Sequence, residues 1–258
     1  MTQMRYERPP KPVVLCGGEG SRLRPLTYYF QKAMIPVGRE QRPLLEYILR
    51  HIRFHGFTEA VLLVGYKGEQ VVNYFEDGGR VGLNLTYVWD REDAKGTCAS
   101  ILNALDQKAL GEDETLLIYY GDILTNLNLA ELVERHSVER AAATLAVSPT
   151  YQLPVGVAEI TSGRVKALRE KPHIPINVTI GILTLEAHTV RKAPEAADIM
   201  ADLIPTLIQQ GEKVAAYVAD AFWYDVGSTE RYEKLTSEMV DKHLSTILEK
   251  TRETLNRF

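Results

Sequence analysis

Apolar runs alternate with amphipathic stretches through the first half of the chain. Runs at residues 13–16, 60–64, 83–89 and 115–120 predict strands, and each is followed by apolar positions at helical spacing, over 44–54, 69–75, 97–105 and 129–138. In Leu44, Leu45, Tyr47, Ile48, Leu49 and Ile52 the spacing follows one helix face, and Gly56 supplies a stop. Thr97 is a good N-cap for the third helix. This repetition predicts an α/β fold with a doubly wound, mostly parallel sheet that meets its ligands at the carboxyl ends of the strands.

After about residue 142 the texture changes. Shorter strands are predicted at 143–147, 156–160 and 164–168, the last two joined by a turn at Thr161-Ser162-Gly163, which suggests an antiparallel addition to the parallel sheet. A strand at 179–185, a helix at 200–210 stopped by Gly211 and a strand at 214–218 complete the body, and from Thr229 the pattern is helical. With no Gly/Ser-rich linker, low-complexity stretch or internal repeat, residues 1–258 are expected to form one domain. Its parts would be halves at about 12–142 and 143–228 and a helical segment at 229–258. Tyr232, Leu235, Met239, Val240, Leu244 and Ile247 form an apolar stripe on that segment. The first expectation is that it packs on its own domain, and the second is a contact in a homo-oligomer.

Composition narrows the partners. The chain has 258 residues, 45% hydrophobic and 25% charged, enough for a substantial core. Thirty basic against thirty-four acidic side chains give a net charge of -4, so no general basic surface points to nucleic acid or an anionic membrane. Without an apolar leader or a run long enough to span a bilayer, a cytoplasmic location is expected. Cys16 and Cys98 read as small buried thiols. His51 and His55 lie four apart on a predicted helix, but Ile52 stands where a zinc protease carries Glu, so they read as interfacial or surface side chains.

The chemistry begins where the first strand ends. Leu15-Cys16-Gly17-Gly18-Glu19-Gly20-Ser21-Arg22-Leu23-Arg24 places three glycines and two arginines within ten residues. Glycines let backbone N–H groups approach an oxyanion, and guanidinium groups fork onto phosphate oxygens, so the loop predicts a polyphosphate ligand. Lys followed by Ser or Thr is missing after Gly20, which excludes a Walker loop, and the spacing does not fit the dinucleotide G-x-G-x-x-G pattern.

Gly17-Gly18-x-Gly20-Ser21-Arg22-Leu23-x-Pro25-Leu26-Thr27 closely resembles the signature of the sugar-1-phosphate nucleotidyltransferases. A second family element, a lysine before an apolar-Pro-Val run, is matched by Lys32-Ala33-Met34-Ile35-Pro36-Val37, with Gln31 where the family usually has Pro. Lys95-Gly96-Thr97-Cys98-Ala99-Ser100 resembles the turn whose backbone reads the nucleobase, with Cys98 and Ser100 in place of small residues. Asp122 in Tyr120-Gly121-Asp122 and Asp225 in Trp223-Tyr224-Asp225-Val226-Gly227-Ser228 match the two magnesium-binding aspartates. Glu170-Lys171-Pro172 and Thr179-Ile180-Gly181 resemble the sugar-phosphate segments, although the family often has Asn at the position of Thr179 and an aromatic at that of Leu183. Gly65-Tyr66, after the second strand, reads as a left-handed glycine turn that could line the same pocket.

The resemblance implies a Rossmann-like fold and an enzyme that joins a nucleoside triphosphate to a sugar 1-phosphate with Mg²⁺, giving a nucleotide sugar and pyrophosphate. By the same resemblance, Leu15, Gly17, Gly18, Gly20, Ser21, Arg22, Gly65, Gly96 and Thr97 bind nucleotide. Gly121, Glu170, Lys171, Thr179 and Gly181 bind the sugar phosphate, and Arg22, Lys32, Asp122 and Asp225 carry catalysis. No hexapeptide β-helix is expected after Asp225. The Gly-Thr turn leans towards GTP with mannose 1-phosphate; UTP with glucose 1-phosphate, or a non-catalytic nucleotide-sugar-binding relative, are the alternatives.

Overall fold

The computed structural model describes residues 9–91 and 96–255; Lys95, at the edge of the Gly-Thr turn, lies outside the described residues. In chain order the main elements are β1 (Lys11–Cys16), α1 (Leu44–Phe54), β2 (Glu59–Val64), α2 (Gly68–Phe75), β3 (Asn84–Trp89), α3 (Thr97–Asp106), β4 (Thr115–Tyr120), β5 (Ile123–Thr125), α4 (Leu129–Glu139) and β6 (Ala143–Ser148). They continue with β7 (Val157–Thr161), β8 (Arg164–Arg169), β9 (Val178–Glu186), α5 (Ile204–Gln209), β10 (Val214–Val218), β11 (Trp223–Asp225), α6 (Thr229–Lys234) and α7 (Ser237–Leu255).

Seven strands form one sheet in the order β10-β6-β9-β4-β1-β2-β3. β1 pairs in parallel with both β2 and β4, β2 with β3, and β10 with β6, whereas β9 runs antiparallel to β4 and β6. The antiparallel character expected after residue 142 is thus confined, within this sheet, to one strand. β6, placed by sequence in the addition, runs with the parallel strands, because reversed β9 sits between it and β4. β7 and β8 form a separate hairpin with a bulge at Glu159/Ile160.

Both faces of the sheet are covered, as period-two burial demands. Adjacent Val13 and Val14 are fully buried in different core clusters, one packed by α3 and the segment after β9, the other by α1, α2, α4 and α7. Continuous burial along β2 and β4 reflects the same two-sided covering.

Three local expectations need correction. The stretch expected as a helix at 200–210 begins as a π-helical turn, Ile199–Leu203, capped by the Asp198 carboxylate, before continuing as α5. Thr97 does not cap α3: Gly96 precedes the helix, and the Thr97 hydroxyl instead donates to Asp198 and accepts from the Ile199 N–H. His51 is a core residue, its ring nitrogens bonded to the Tyr119 hydroxyl at 3.2 Å and the Leu127 carbonyl at 2.9 Å. Burial pushes its imidazole well below the ordinary range, so it is neutral at physiological pH.

The carboxyl-terminal stripe packs on its own body. α7 lies against α1, and Val240, Leu244 and Ile247 are buried there, while the Tyr232 hydroxyl donates to the Pro36 carbonyl at 2.8 Å. Among the described residues no helix is long and apolar enough to cross a membrane. Because Leu244 is 2% exposed, Leu244→Ala should cost about 2–5 kcal/mol in urea unfolding. A loss below about 1 kcal/mol would mean that α7 is not part of the folded core.

Candidate active site

The carboxyl ends of β1, β2 and β4 meet with almost no room for side chains. The Gly121 N–H donates to the Leu15 carbonyl at 3.0 Å, and a Cβ on Gly121 would sit 2.6 Å from that oxygen. A Cβ on Gly17 would fall 1.8 Å from an Asp90 carboxylate oxygen, and one on Gly65 would lie 2.7 Å from the same atom. Gly65 therefore answers to close approach, and it is not among the residues with positive φ. The left-handed position in the loop belongs to Gly20, at φ 62°, whereas Gly18 faces open space.

These strand ends wall a cavity of about 710 Å³. Of the predicted residues, Leu15, Gly17, Gly18, Lys32, Gly65, Gly96, Thr97, Gly121 and Asp122 line it. Tyr66, Trp89, Asp90 and Ser100 line it as well. Asp90 was not singled out by sequence; its carboxylate accepts from the Ser100 hydroxyl at 2.6 Å, and burial raises its pKa despite that bond. Its only sequence signal is a carboxylate one residue beyond a strand end.

Asp225 reaches the site from far along the chain through a two-stranded ribbon. β11 pairs antiparallel with β5, Asp225 opposite Ile123, and the Val226 N–H donates to the Asp122 carbonyl at 2.8 Å. The ribbon is locked at its other end, where the Phe222 N–H donates to the Asn126 side chain at 3.0 Å. Burial first, then the charge of Asp122, raise the Asp225 pKa, while Arg231, Lys32 and Arg22 oppose the rise. Two carboxylates and three cations therefore share one neighbourhood. Lys32 bonds directly to Asp122 and Arg231 to Asp225. Oδ1 of Asp225 is buried and has no hydrogen-bond partner among the described residues.

Gln31, the departure from the family pattern, has a defined task. Its buried amide donates to the Cys16 carbonyl and accepts from the Ala33 N–H, both at 2.5 Å, so it bridges the start of the glycine loop to the turn carrying Lys32. The Gln31 N–H, which Pro would lack, donates to Gln70 at 2.7 Å.

The remaining predicted residues do not line the cavity. Ser21 and Arg22 form an exposed 3₁₀ turn, tied to α6 where the Thr229 hydroxyl donates to the Arg22 carbonyl at 3.3 Å. Glu170 and Lys171 follow the exposed hairpin; Lys171 has a φ of 45° and lies near enough to Glu230 to help hold that carboxyl low. Thr179 is exposed on β9, and Gly181, at φ 73° in the β9 bulge, packs where a Cβ would meet Ile123 at 2.9 Å.

An open α/β sheet with a glycine-walled cleft and paired carboxylates at its strand ends defines a protein of the doubly wound class. The nucleotidyl transferase family model matches residues 11–242, and the chain belongs to that family. It is 27% identical over 254 residues to a UTP–glucose-1-phosphate uridylyltransferase of Synechocystis, covering 92% of this chain and 65% of the relative. To a mannose-1-phosphate guanylyltransferase of Mycobacterium tuberculosis it is 29% identical over 240 residues, covering 88% of this chain and 64% of the relative. The chain thus spans just under two thirds of the length of each. Among solved structures, HddC from Yersinia pseudotuberculosis shares the fold at a TM-score of 0.68 and 19% identity, over 88% of this chain and 97% of that one.

The raised pKa of Asp225 has a consequence for stability. A carboxyl held above its unfolded value contributes stability fully present below the unfolded pKa and lost as pH rises through the folded pKa. At neutral pH its charge is therefore a cost. Asp225→Asn should melt higher than wild type in EDTA at pH 7.5, with the gap closing as pH falls into the carboxylate range; a lower melting temperature at pH 7.5 would contradict the assignment.

Proposed function

We propose that the protein transfers a nucleotidyl group from a nucleoside triphosphate to a sugar 1-phosphate in a Mg²⁺-dependent reaction. The sugar phosphate oxygen attacks the α-phosphorus, the bond to the β-phosphate oxygen breaks, and pyrophosphate leaves. The observation that carries this reading is the convergence of Asp122 and Asp225, ringed by Lys32, Arg22 and Arg231, beside a glycine-walled cavity.

The residues fit a hard cation. Asp122 and Asp225 offer only carboxylate oxygens, and the unpartnered, buried Oδ1 of Asp225 is an acceptor lacking a donor. Among the described residues no cluster of three or more metal-binding side chains exists, which suits Mg²⁺, an ion that takes much of its coordination from water and substrate phosphates. Bound there, Mg²⁺ would neutralise charge on the phosphates. Lys32 would stabilise charge at the α-phosphate, and the loop N–H groups from Gly17 to Ser21, with Arg22, would hold the triphosphate. The attacking phosphate oxygen is anionic at neutral pH, so alignment and electrostatics suffice without a protein nucleophile. Lys171 would offset the repulsion between the two substrates.

GTP with mannose 1-phosphate is the pair we favour. A carboxylate can accept from both N1–H and the amino group of guanine, whereas uracil presents one N–H between two carbonyls that a carboxylate repels. Asp90, which lines the cavity, supplies such an acceptor. The Mycobacterium relative is named for the same pair. UTP with glucose 1-phosphate is the second reading, favoured by the name of the Synechocystis relative.

Pyrophosphate release measured over the four ribonucleoside triphosphates against several sugar 1-phosphates should be fastest with GTP and mannose 1-phosphate and should stop in EDTA. Silence with every pair would overturn the enzymatic reading in favour of a binding protein. Asp122→Asn should lower turnover by about a hundredfold or more, and near-normal turnover at saturating Mg²⁺ would overturn the metal assignment. Asp90→Asn should shrink the preference for GTP over UTP by roughly tenfold, the discrimination ordinarily supplied by one charge-assisted hydrogen bond. An unchanged ratio would remove Asp90 from base recognition.

A further inference from the structure

Each aspartate of the pair carries its own cation, and the two cations differ in setting. The Lys32 and Asp122 side chains are 16% and 18% exposed, and Lys32 follows the buried Gln31 bridge, so this pair belongs to the floor of the site. Arg231 is 40% exposed against 23% for Asp225, and it comes from the solvent side, on α6. Its backbone is fixed: the Arg231 N–H donates to the Ser228 hydroxyl at 3.4 Å, and its carbonyl accepts from the Tyr224 hydroxyl at 2.7 Å. Only the side chain is free to swing, pivoting on an anchored turn.

The charges explain why it would. Asp122, Asp225, Lys32 and Arg231 sum to zero, so the carboxylates are neutralised as they stand. A divalent cation entering between them attracts each carboxylate with twice the charge of a guanidinium, and Oδ1 of Asp225 has no hydrogen-bond partner among the described residues. Arg231 would then be released next to Glu230, whose carboxyl is held low by Lys234 first, then by Arg231 and Lys171. Lys171 is the residue expected to meet the sugar phosphate, and the freed guanidinium would lie beside it.

We propose that Arg231 is an exchangeable counter-ion: it occupies Asp225 until a divalent cation takes that carboxylate, then turns to bind the phosphate of the incoming sugar 1-phosphate alongside Lys171. The inference rests on the reading of Asp122 and Asp225 as a metal site. It makes substrate binding ordered in charge, because the phosphate gains its guanidinium only once the cation is in place. Arg231 carries no signal in the sequence that separates it from any other helix arginine.

The test uses the full chain and Mn²⁺ as a probe, with free Mn²⁺ read by electron paramagnetic resonance in the absence of nucleotide. Removing the competitor in Arg231→Gln should tighten Mn²⁺ binding by about three- to fivefold, the ordinary worth of a partly exposed ion pair. In steady-state assays the same variant should raise the KM for the sugar 1-phosphate by about tenfold or more, leaving that of the nucleotide little changed. Arg231→Lys should restore both values part of the way, and a wild-type melting temperature in both variants shows that the fold is intact. A merely structural arginine would weaken metal and substrate binding together. Mn²⁺ affinity that is unchanged or weaker in a folded Arg231→Gln overturns the exchange while leaving the metal site standing. Failure of the wild-type protein to bind Mn²⁺ without nucleotide overturns the exchange, and failure to bind it with a non-hydrolysable nucleoside triphosphate analogue as well overturns the metal reading and the inference with it.

Discussion

A short ribbon, β5 against β11, forces two carboxylates into one neighbourhood, and much of the site is arranged around that constraint. Asp225 follows directly from a register that sets it opposite Ile123, one residue beyond Asp122, with the Val226 N–H on the Asp122 carbonyl. Like charges brought together near a protein surface repel, and burial strengthens the repulsion. Lys32, Arg231 and Arg22 offset that repulsion, yet burial first, and then the charge of Asp122, keep the Asp225 carboxyl above its ordinary pKa in spite of them. The ribbon is in turn fixed by the main sheet, since β5 begins three residues after β4 ends and Ile123 packs under the β9 bulge at Gly181.

The same economy of space shapes the cavity. Gly17, Gly65 and Gly121 allow three parallel strand ends and the Asp90 carboxylate to crowd together. Gln31 then ties the lysine turn to the glycine loop through the Cys16 carbonyl. Where relatives of the resembled family use Pro before the lysine, this chain uses a buried amide, which fixes the backbone by hydrogen bonds in place of a ring. Arg231 on α6 reaches Asp225 from the solvent side, while Lys32 pairs with Asp122 at lower exposure.

Much of this was legible in the chain because the signals were local and repeated. Four strand–helix pairs predict the doubly wound sheet; the glycine loop and Asp122 fall at the strand ends that such a sheet exposes, and Lys32 lines the same cavity. What could not be read was pairing between distant segments. Nothing in residues 143–147 distinguishes a strand parallel to β4 from an antiparallel one; the reversal of β9 between them decides it. His51 looked like a surface residue because its partners, Tyr119 and Leu127, lie about seventy residues away. Thr97 looked like a helix cap because Asp198, its real partner, is a hundred residues distant. Asp90 and Arg231 are ordinary residues in ordinary local sequence, and only the tertiary structure sets the first against Gly17 and the second against Asp225.

The central claim is that Asp122 and Asp225 hold one divalent cation together with substrate phosphates. Anomalous diffraction from crystals grown with Mn²⁺ and a non-hydrolysable guanosine triphosphate analogue tests it directly. A single strong peak should lie at about 2.0–2.2 Å from carboxylate oxygens of both aspartates and from phosphate oxygens, with Arg231 no longer on Asp225. A peak that contacts neither aspartate, or nucleotide bound in the cavity with both aspartates still paired to Lys32 and Arg231, would contradict the account.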